Sequence, residues 1–381
     1  MTSKECVRRT INREPAPYVP LGFYVVDYDT VEAVLGRETY VRNKIKCQLA
    51  FWEGRRDEVV ESFKHDAVEF FQKIDCCDLI TFKEAPVVPP KGYEPPKVKR
   101  IDDVTWRGED GTVWRASNLT NDISVVERPA SITQAQPRVE DYAGPVCEQG
   151  PDPSVFEACD YLMEHLGADR YIAGVSGGLT AMIDLPGESG GLVGYYLLPE
   201  VVRAAARRSV ERQNQRDPWY IRPGQDGVLF EQDMAASKGP MIGPDLFREF
   251  CLPSMKARVG AIRARGQQVL MHNCGNNRSL MDQFIEAGIQ CYQSLQSIPD
   301  MAIDGLKRDF GDDLAFWGGI SLEVLITGTP EDCRKNVRQA MEAGAPGGGF
   351  ILGPSHSIAK GTPYDNFMAV LDEYMRLRDT F

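Results

Sequence analysis

The sequence lacks several features that would assign the chain to a class at once. Histidine is scarce, with 4 residues among 381, and Lys and Arg (43) are outnumbered by Asp and Glu (55). The resulting net charge of -12 disfavours non-specific binding to nucleic acid, which depends on Lys and Arg. No apolar run approaches the ~18 residues that a membrane-spanning helix needs. The sequence therefore predicts neither a nucleic-acid nor a membrane partner.

Paired cysteines are also lacking. The 10 cysteines are scattered, and only Cys76 and Cys77 are adjacent. A chain with no disulfide framework is typical of a reducing compartment. The first residues do not follow the charged-then-apolar pattern of a secretion signal. We therefore expect a cytoplasmic protein of ordinary globular composition, with 43% hydrophobic and 26% charged residues.

Apolar segments of strand length alternate with segments of helical periodicity along most of the chain. Residues 245–265 and 364–377 are among the predicted helices. The predicted strands lie at residues 21–26, 78–82, 170–175, 227–233, 267–274, 290–295, 314–320 and 348–353. Such alternation is what a (β/α)8 barrel requires. A doubly wound open sheet is the alternative, but no Gly-x-Gly-x-x-Gly turn follows the first strand. We predict an α/β fold, a single (β/α)8 TIM barrel that spans residues 1–381.

Residues 86–140 interrupt this alternation. A proline-rich stretch is followed by Val104–Trp106 and Val113–Arg115, with Gly108-Glu109-Asp110-Gly111 between them. Two β-type runs around an Asp-Gly turn indicate a hairpin. We predict an inserted hairpin region here, between the second and third strands.

The segment 267–275, Gln-Gln-Val-Leu-Met-His-Asn-Cys-Gly, is predicted to form a short buried strand that ends in glycine. Side chains two positions apart on a strand point to the same side, so His272 and Cys274 leave its end together. A borderline-soft nitrogen beside a soft sulfur suits zinc. A core histidine beside a buried free cysteine explains the same residues. The spacing alone leaves both interpretations open.

The other strand ends strengthen the metal interpretation, because a barrel carries its active site at the carboxyl ends of its strands. The fourth predicted strand ends in Glu231 and Asp233, and His356 follows the eighth. Converging nitrogen, sulfur and oxygen ligands are typical of a catalytic zinc site. We predict His272, Cys274 and His356 as metal ligands and the two carboxylates as catalytic groups.

Simpler roles remain open for two of these residues. Asp233 could form a salt bridge with Lys238 or Arg248, and His356 could cap a helix or bind substrate. Three further side chains are predicted to contact the substrate. They are Gln293, Trp317 and Tyr24.

The motifs occur in an order that resembles the uroporphyrinogen decarboxylase superfamily. The segments that carry the resemblance are 233–240, His272-Asn273-Cys274-Gly275, Phe316-Trp317-Gly318-Gly319-Ile320, Gly348-Gly349-Phe350-Ile351-Leu352 and Pro363-Tyr364-Asp365-Asn366. The resemblance runs from about residue 13 to the end and is densest between 228 and 366. It implies the same barrel fold.

The superfamily has two main branches, and the sequence departs from both. True decarboxylases use no cofactor and bind porphyrinogen carboxylates through an arginine-rich segment ending in Arg-Tyr-Leu-Pro. The corresponding Pro17-Tyr18-Val19-Pro20-Leu21 lacks that arginine. Corrinoid-dependent methyltransferases hold zinc with a His-x-Cys pair and a later cysteine. This chain has the pair, and His356 stands where the later cysteine would fall.

The resemblance therefore implies a zinc-dependent methyltransferase. The methyl group would move between a small molecule, such as an aryl methyl ether, and a corrinoid protein. No Asp-x-His-x-x-Gly motif for corrinoid binding occurs in the sequence, so the corrinoid is expected on a separate partner. A cofactor-free decarboxylase is the alternative, and other reactions or a binding role on the same barrel stay open. The sequence also leaves a homodimer open.

Overall fold

A curled parallel sheet forms the centre of the protein. The computed structural model describes residues 1–129, 136–187 and 190–381. In chain order its strands are β1 (Leu79–Thr81), β2 (Val98–Arg100), β3 (Thr105–Gly108), β4 (Val113–Ser117), β5 (Asp122–Glu127), β6 (Tyr171–Gly174), β7 (Gly227–Glu231), β8 (Ala235–Ala236), β9 (Gly239–Pro240), β10 (Gln268–His272), β11 (Cys291–Gln293), β12 (Ala315–Ile320) and β13 (Phe350–Pro354). The central sheet has seven strands in the order β1-β6-β7-β10-β11-β12-β13, and every pair is parallel. These strands are apolar runs because helices cover one face and the curled sheet encloses the other.

Helices follow most of the central strands. They are α1 (Ser3–Ile11), α2 (Tyr28–Leu35), α3 (Lys44–Trp52), α4 (Arg56–Ile74), α5 (Glu157–Leu166), α6 (Gly194–Leu197), α7 (Pro199–Tyr220), α8 (Pro244–Leu246), α9 (Leu252–Arg263), α10 (Met281–Ala287), α11 (Ile303–Phe310), α12 (Leu322–Thr327), α13 (Pro330–Gly344) and α14 (Tyr364–Leu377). Local sequence explains their ends: Thr329 and Asp332, for example, form a capping box at the start of α13. Among the described residues, no helix combines the length and the apolar character that crossing a membrane requires.

The two edges of the sheet, β1 and β13, both contact the segment around Gly22. Leu21 forms a parallel bridge with Leu352, and Gly22 forms one with Leu79. Gly353 permits this approach, because a Cβ atom there would lie 2.4 Å from the Gly22 carbonyl oxygen. The strand predicted at residues 21–26 is therefore corrected to isolated bridges, which form at single positions instead of along a ladder.

Asp78, which directly precedes β1, connects several elements at the amino end of the sheet. It is 2% exposed. Its Oδ1 accepts hydrogen bonds from Ser3 Oγ (2.6 Å) and Tyr18 Oη (2.9 Å). Its Oδ2 accepts from the backbone N–H of Leu21 (2.9 Å) and from Tyr374 Oη (3.0 Å). One buried carboxylate thus joins α1, the segment before Gly22, the start of β1 and α14.

The predicted hairpin region contains a four-stranded antiparallel sheet, β2-β3-β4-β5. The predicted Asp-Gly turn joins β3 to β4, and β2 and β5 add a strand on each side, which the sequence did not predict. This inserted sheet packs against α3 through Trp52, which meets Trp106 and Trp114 with ring centroids 5.7 and 5.6 Å apart. Residues 130–135 of the predicted insertion lie outside the described residues.

Candidate metal and substrate site

The polar residues at the strand ends lie at one level of the sheet. The register of β7 and β10 places Glu231 beside His272, and the register of β10 and β11 places His272 beside Gln293. All three stand at the carboxyl ends of parallel strands. Their side chains therefore meet at one mouth of the curled sheet, as the strand-end rule predicts.

Three potential metal ligands converge at this mouth. His272, Cys274 and His356 each offer one ligand atom, and these atoms lie within 4.8 Å of one another. The Cys274 Sγ is 3.4 Å from the His272 Nε2. Ligands about 2.1 and 2.3 Å from one tetrahedral zinc ion would lie about 3.6 Å apart, so this pair already has a suitable separation. The donor set, two imidazoles and a thiol, fits zinc.

Gln293 fixes the orientation of His272. Its Nε2 donates to the carbonyl oxygens of Pro354 (3.3 Å) and His356 (3.4 Å). Its Oε1 therefore faces the His272 Nδ1 and accepts a hydrogen bond from it. With the proton on Nδ1, the Nε2 lone pair points towards Cys274, as a metal-ligating histidine requires.

Burial keeps these groups neutral. It lowers the pKa of His272 to about 4 and raises the pKa of Cys274 to about 11. Burial also lowers the pKa of His356. A neutral imidazole is the form that binds metal, whereas the thiol must release a proton when it does.

Tyr24 covers one face of the cluster. Its ring stacks on the His272 ring, with centroids 3.9 Å apart and planes at 3°. The Tyr24 hydroxyl donates to Glu231, and the same carboxylate pairs with Lys83. Lys83 Nζ also lies 5.3 Å from the centre of the Tyr24 ring. Glu231 is thus held by two donors beside the potential ligands.

Asp233 supports the backbone of the cluster. Its Oδ1 accepts the Cys274 N–H at 2.9 Å. One alternative from the sequence, a salt bridge to Arg248, is not formed, because Arg248 pairs with Glu286 at 2.7 Å. Asp233 therefore fixes the position from which the thiol projects.

The turn after Cys274 depends on a glycine. Gly275 has a φ of +90°, and a Cβ atom there would lie 2.3 Å from the Ala235 carbonyl oxygen. Below it, the Asn277 side chain donates to the Cys274 carbonyl (2.8 Å) and to Asn273 Oδ1 (3.0 Å). This buried amide pair holds the loop that carries the thiol.

A cavity of about 250 Å³ opens between the ends of β1, β6 and β7. Phe82, Val175 and Leu229 give it apolar walls, and Lys83 and Glu231 give it a charged side. Its volume exceeds the about 150 Å³ of an apolar cavity that binds benzene. It is below the roughly 300 Å³ at which drug-sized pockets begin. The cavity has room for one substituted ring.

The structure does not bring Trp317 to this cavity. Its side chain is fully buried inside the sheet, and its indole N–H donates to the Gly22 carbonyl at 3.0 Å. Conversely, the sequence did not single out Lys83 and Ser294. Lys83 lies two residues after the end of β1, and Ser294 directly follows β11. Ser294 Oγ is 3.4 Å from Cys274 Sγ, and its φ is +88°. Extending the strand-end rule to every strand would have found both residues.

Comparisons with known proteins agree with this architecture. The model of the uroporphyrinogen decarboxylase (URO-D) family matches residues 121–377. No curated protein matches the chain. A methyltransferase from Methanosarcina mazei superimposes with a TM-score of 0.66 at 16% identity, covering 99% of each chain, which shows a shared fold. A protein described as a putative vitamin-B12-independent methionine synthase from Listeria monocytogenes gives a lower TM-score of 0.48 at 11% identity, with 95% of this chain and 96% of that chain covered.

Proposed function

Since the chain belongs to the uroporphyrinogen decarboxylase family, we propose that it is a zinc-dependent methyltransferase. His272, Cys274 and His356 hold the ion, and the methyl group moves between a small molecule and a corrinoid protein. The observation that carries the proposal is the convergence of two imidazoles and a thiol within 4.8 Å at the mouth of the sheet. The corrinoid partner rests on the resemblance of the motifs to the methyltransferase branch.

The side chains around the cluster have distinct tasks. A bound zinc ion would supply Lewis acidity and would lower the pKa of a coordinated thiol or hydroxyl. Gln293 holds the proton on His272 Nδ1, and Asp233 holds the backbone of Cys274. Tyr24 shields one face of the cluster from water. Glu231 is placed to accept or return a proton at the substrate.

The cavity supports a small aromatic substrate such as an aryl methyl ether. Its apolar walls accept one ring, and Glu231 and Lys83 meet the polar substituent. Trp317 does not line the cavity; its buried side chain packs beneath the mouth of the sheet. Gln293 and Tyr24 do not line this cavity; both act at the metal ligands, Gln293 through its hydrogen bond to His272 and Tyr24 through its stacked ring.

We also propose that the sheet is a closed (β/α)8 barrel. The bridges of Leu21 and Gly22 to its two edges support this closure. In this proposal residues 1–381 form one domain, and residues 86–140 are an insertion in it.

Metal content and methyl transfer test the proposal together. Protein purified without chelator should carry near-stoichiometric zinc. It should transfer methyl groups between a methylated corrinoid protein and members of a panel of phenols, thiols and tetrahydrofolate. The variant His356→Cys should keep the metal but change the preferred acceptor, because a second thiolate makes zinc a weaker Lewis acid. Metal-free protein without transfer would favour the cofactor-free decarboxylase instead.

A further inference from the structure

Arg42 is a strained residue whose partner, Asp27, is bonded to the loop that carries His356. Its φ is +58°, a left-handed conformation that costs a non-glycine residue roughly 1–2 kcal/mol. Such strain persists only where surrounding contacts enforce it, and it concentrates at functional sites. Arg42 lies just before α3, at the point where the inserted sheet reaches the rest of the chain.

The inserted sheet supplies the enforcing contact. Asn121, in the turn between β4 and β5, donates its side-chain N–H to the Arg42 carbonyl at 3.2 Å. Asn121 is itself 7% exposed and has a φ of +47°. Beside this bond Asp122 pairs with Lys44 at 3.7 Å, and Lys360 donates to the Asn118 carbonyl. The turn between β4 and β5 therefore bonds both the segment that contains Arg42 and the loop that follows β13.

The guanidinium of Arg42 is incompletely bonded. Its Nη2 contacts Asp27 Oδ1 at 3.3 Å, and the other Asp27 oxygen accepts the Lys360 N–H at 3.1 Å. Among the described residues, the buried Nε of Arg42 has no hydrogen-bond partner. The side chain nevertheless keeps 19% of its surface exposed. Its Nη1 likewise has no partner among the described residues and is not buried, so a ligand can reach this end of the guanidinium.

Arg42 is also close to the candidate metal ligands. The Asp27 N–H donates to the Ile358 carbonyl at 2.9 Å, two residues after His356. Because the same Asp27 pairs with Arg42, this bond holds the guanidinium beside the loop that carries His356.

We propose that Arg42 binds a carboxylate group on the substrate, and that the inserted sheet positions it through Asn121. The planar guanidinium matches a carboxylate with two parallel hydrogen bonds. A dianionic phosphate fits less well, because Asp27 stays beside the guanidinium. This inference rests on the proposed function, and it narrows the substrate to a single ring that carries a carboxylate.

Binding of a matched ligand pair tests the inference without any methyl transfer. The probes are 4-methoxybenzoate and 4-methoxybenzamide, titrated calorimetrically into the purified full chain. The wild type should prefer the benzoate. Arg42→Gln should raise the Kd for the benzoate by about ten-fold or more and leave the Kd for the amide unchanged. Arg100→Gln, at an exposed position of the inserted sheet, is the control and should change neither.

Two further variants keep the test decisive. Arg42→Lys retains the positive charge but lacks the two parallel N–H donors of the guanidinium. It should lose part of the preference for the benzoate over the amide, and it gives a result even if Arg42→Gln does not fold. Asn121→Ala should weaken benzoate binding selectively if the inserted sheet positions Arg42. A wild type without preference for the benzoate, or equal losses for both ligands in these variants, overturns the inference. A benzoate preference in protein that lacks methyl transfer would contradict the proposed function alone.

Discussion

At the scale of single residues, Cys274 is the group on which the metal site depends most. Replacing it with serine changes little volume but substitutes a hard, mostly protonated hydroxyl for a thiol. Cys274→Ser should lose most of its zinc and its methyl transfer, and should retain its circular dichroism spectrum. The exposed Cys147 provides the control, since Cys147→Ser should behave as wild type. Wild-type transfer by Cys274→Ser would exclude zinc activation at this site.

Gln293 should matter through His272 and not through the substrate. Gln293→Leu removes the acceptor for His272 Nδ1–H, so we expect the affinity for zinc to fall about 10–100-fold. Gln293→Glu keeps an acceptor and should lose less. Competition titrations with a chromogenic chelator measure both affinities. Equal affinities for the two variants would contradict this role.

Glu84 should make stability depend on pH. It is fully buried, its Oε1 accepts the Val26 N–H, and burial raises its pKa from 4.5 to about 7. The folded state therefore holds a proton that the unfolded state releases, so its contribution is complete below about pH 4.5 and declines as pH rises to about 7. Glu84→Gln, which stays neutral, should gain stability relative to wild type between pH 5 and pH 8, by up to roughly 3 kcal/mol.

Urea unfolding at pH 5 and pH 8 measures this effect. Glu94 is exposed, so Glu94→Gln should show no comparable gain. A difference between Glu84→Gln and wild type that is the same at both pH values would contradict the assignment.

The sequence predicted the parts of the site that follow from strand register. His272, Cys274 and Glu231 could be placed because the carboxyl ends of parallel strands share one edge. The hydrogen bonds of Gln293 to the end of β13 and the loop after it, and the φ of Ser294, could not be predicted. Both depend on how side chains from distant segments pack, which local periodicity does not encode.

At the scale of elements, a buried ion pair joins α7 to α9. Arg258 and Asp217 are fully buried and form two hydrogen bonds of 2.8 and 2.9 Å. Arg258 also donates to the Gly178 carbonyl, and Asp217 accepts the Gly177 N–H. The pair therefore holds the loop after β6 against both helices.

Replacing one partner of this pair should destabilise the protein more than replacing both partners together. Arg258→Met leaves a buried carboxylate that keeps only the Gly177 N–H and, at 3.8 Å, Arg265. It should lower the free energy of unfolding by about 3–5 kcal/mol. The double variant Arg258→Met/Asp217→Leu should recover much of that loss, though not the bond to Gly177. Denaturant unfolding of both variants measures the difference. A double variant less stable than Arg258→Met would contradict the argument.

Periodicity predicted helices better than edge strands. The helix predicted at 364–377 has the same bounds in the structure, because its apolar stripe is a local property. Residues 245–265 were predicted as one helix, but the structure has α8, a π-helical turn at Phe247–Cys251 and α9. The strand at 21–26 was wrong because its bridges depend on two sheet edges approaching each other, which no local pattern shows.

At the scale of the whole molecule, Asp78 joins the segment before Gly22 and the start of β1 to α1 and α14. Asp78→Asn keeps the shape but removes the charge and turns one acceptor into a donor that faces other donors. Hydrogen bonds to a charged group contribute about 1.5–3 kcal/mol each and are not additive, so we expect a loss of at least about 3 kcal/mol. Thermal unfolding should show a clear drop in Tm. Asp313 is exposed, and Asp313→Asn should leave Tm almost unchanged; a similar small effect for Asp78→Asn would contradict the role.

The contacts of Asp78 and of the segment around Gly22 also set an order of events during synthesis on the ribosome. Tyr374 bonds the Val19 carbonyl across 355 positions and Asp78 across 296. The segment around Gly22 is therefore translated early, yet its partners in β13 and α14 emerge last. Until they do, the growing sheet has open edges, the kind of surface that aggregates or recruits chaperones. A segment that is translated early therefore completes its contacts only after β13 and α14 have been made.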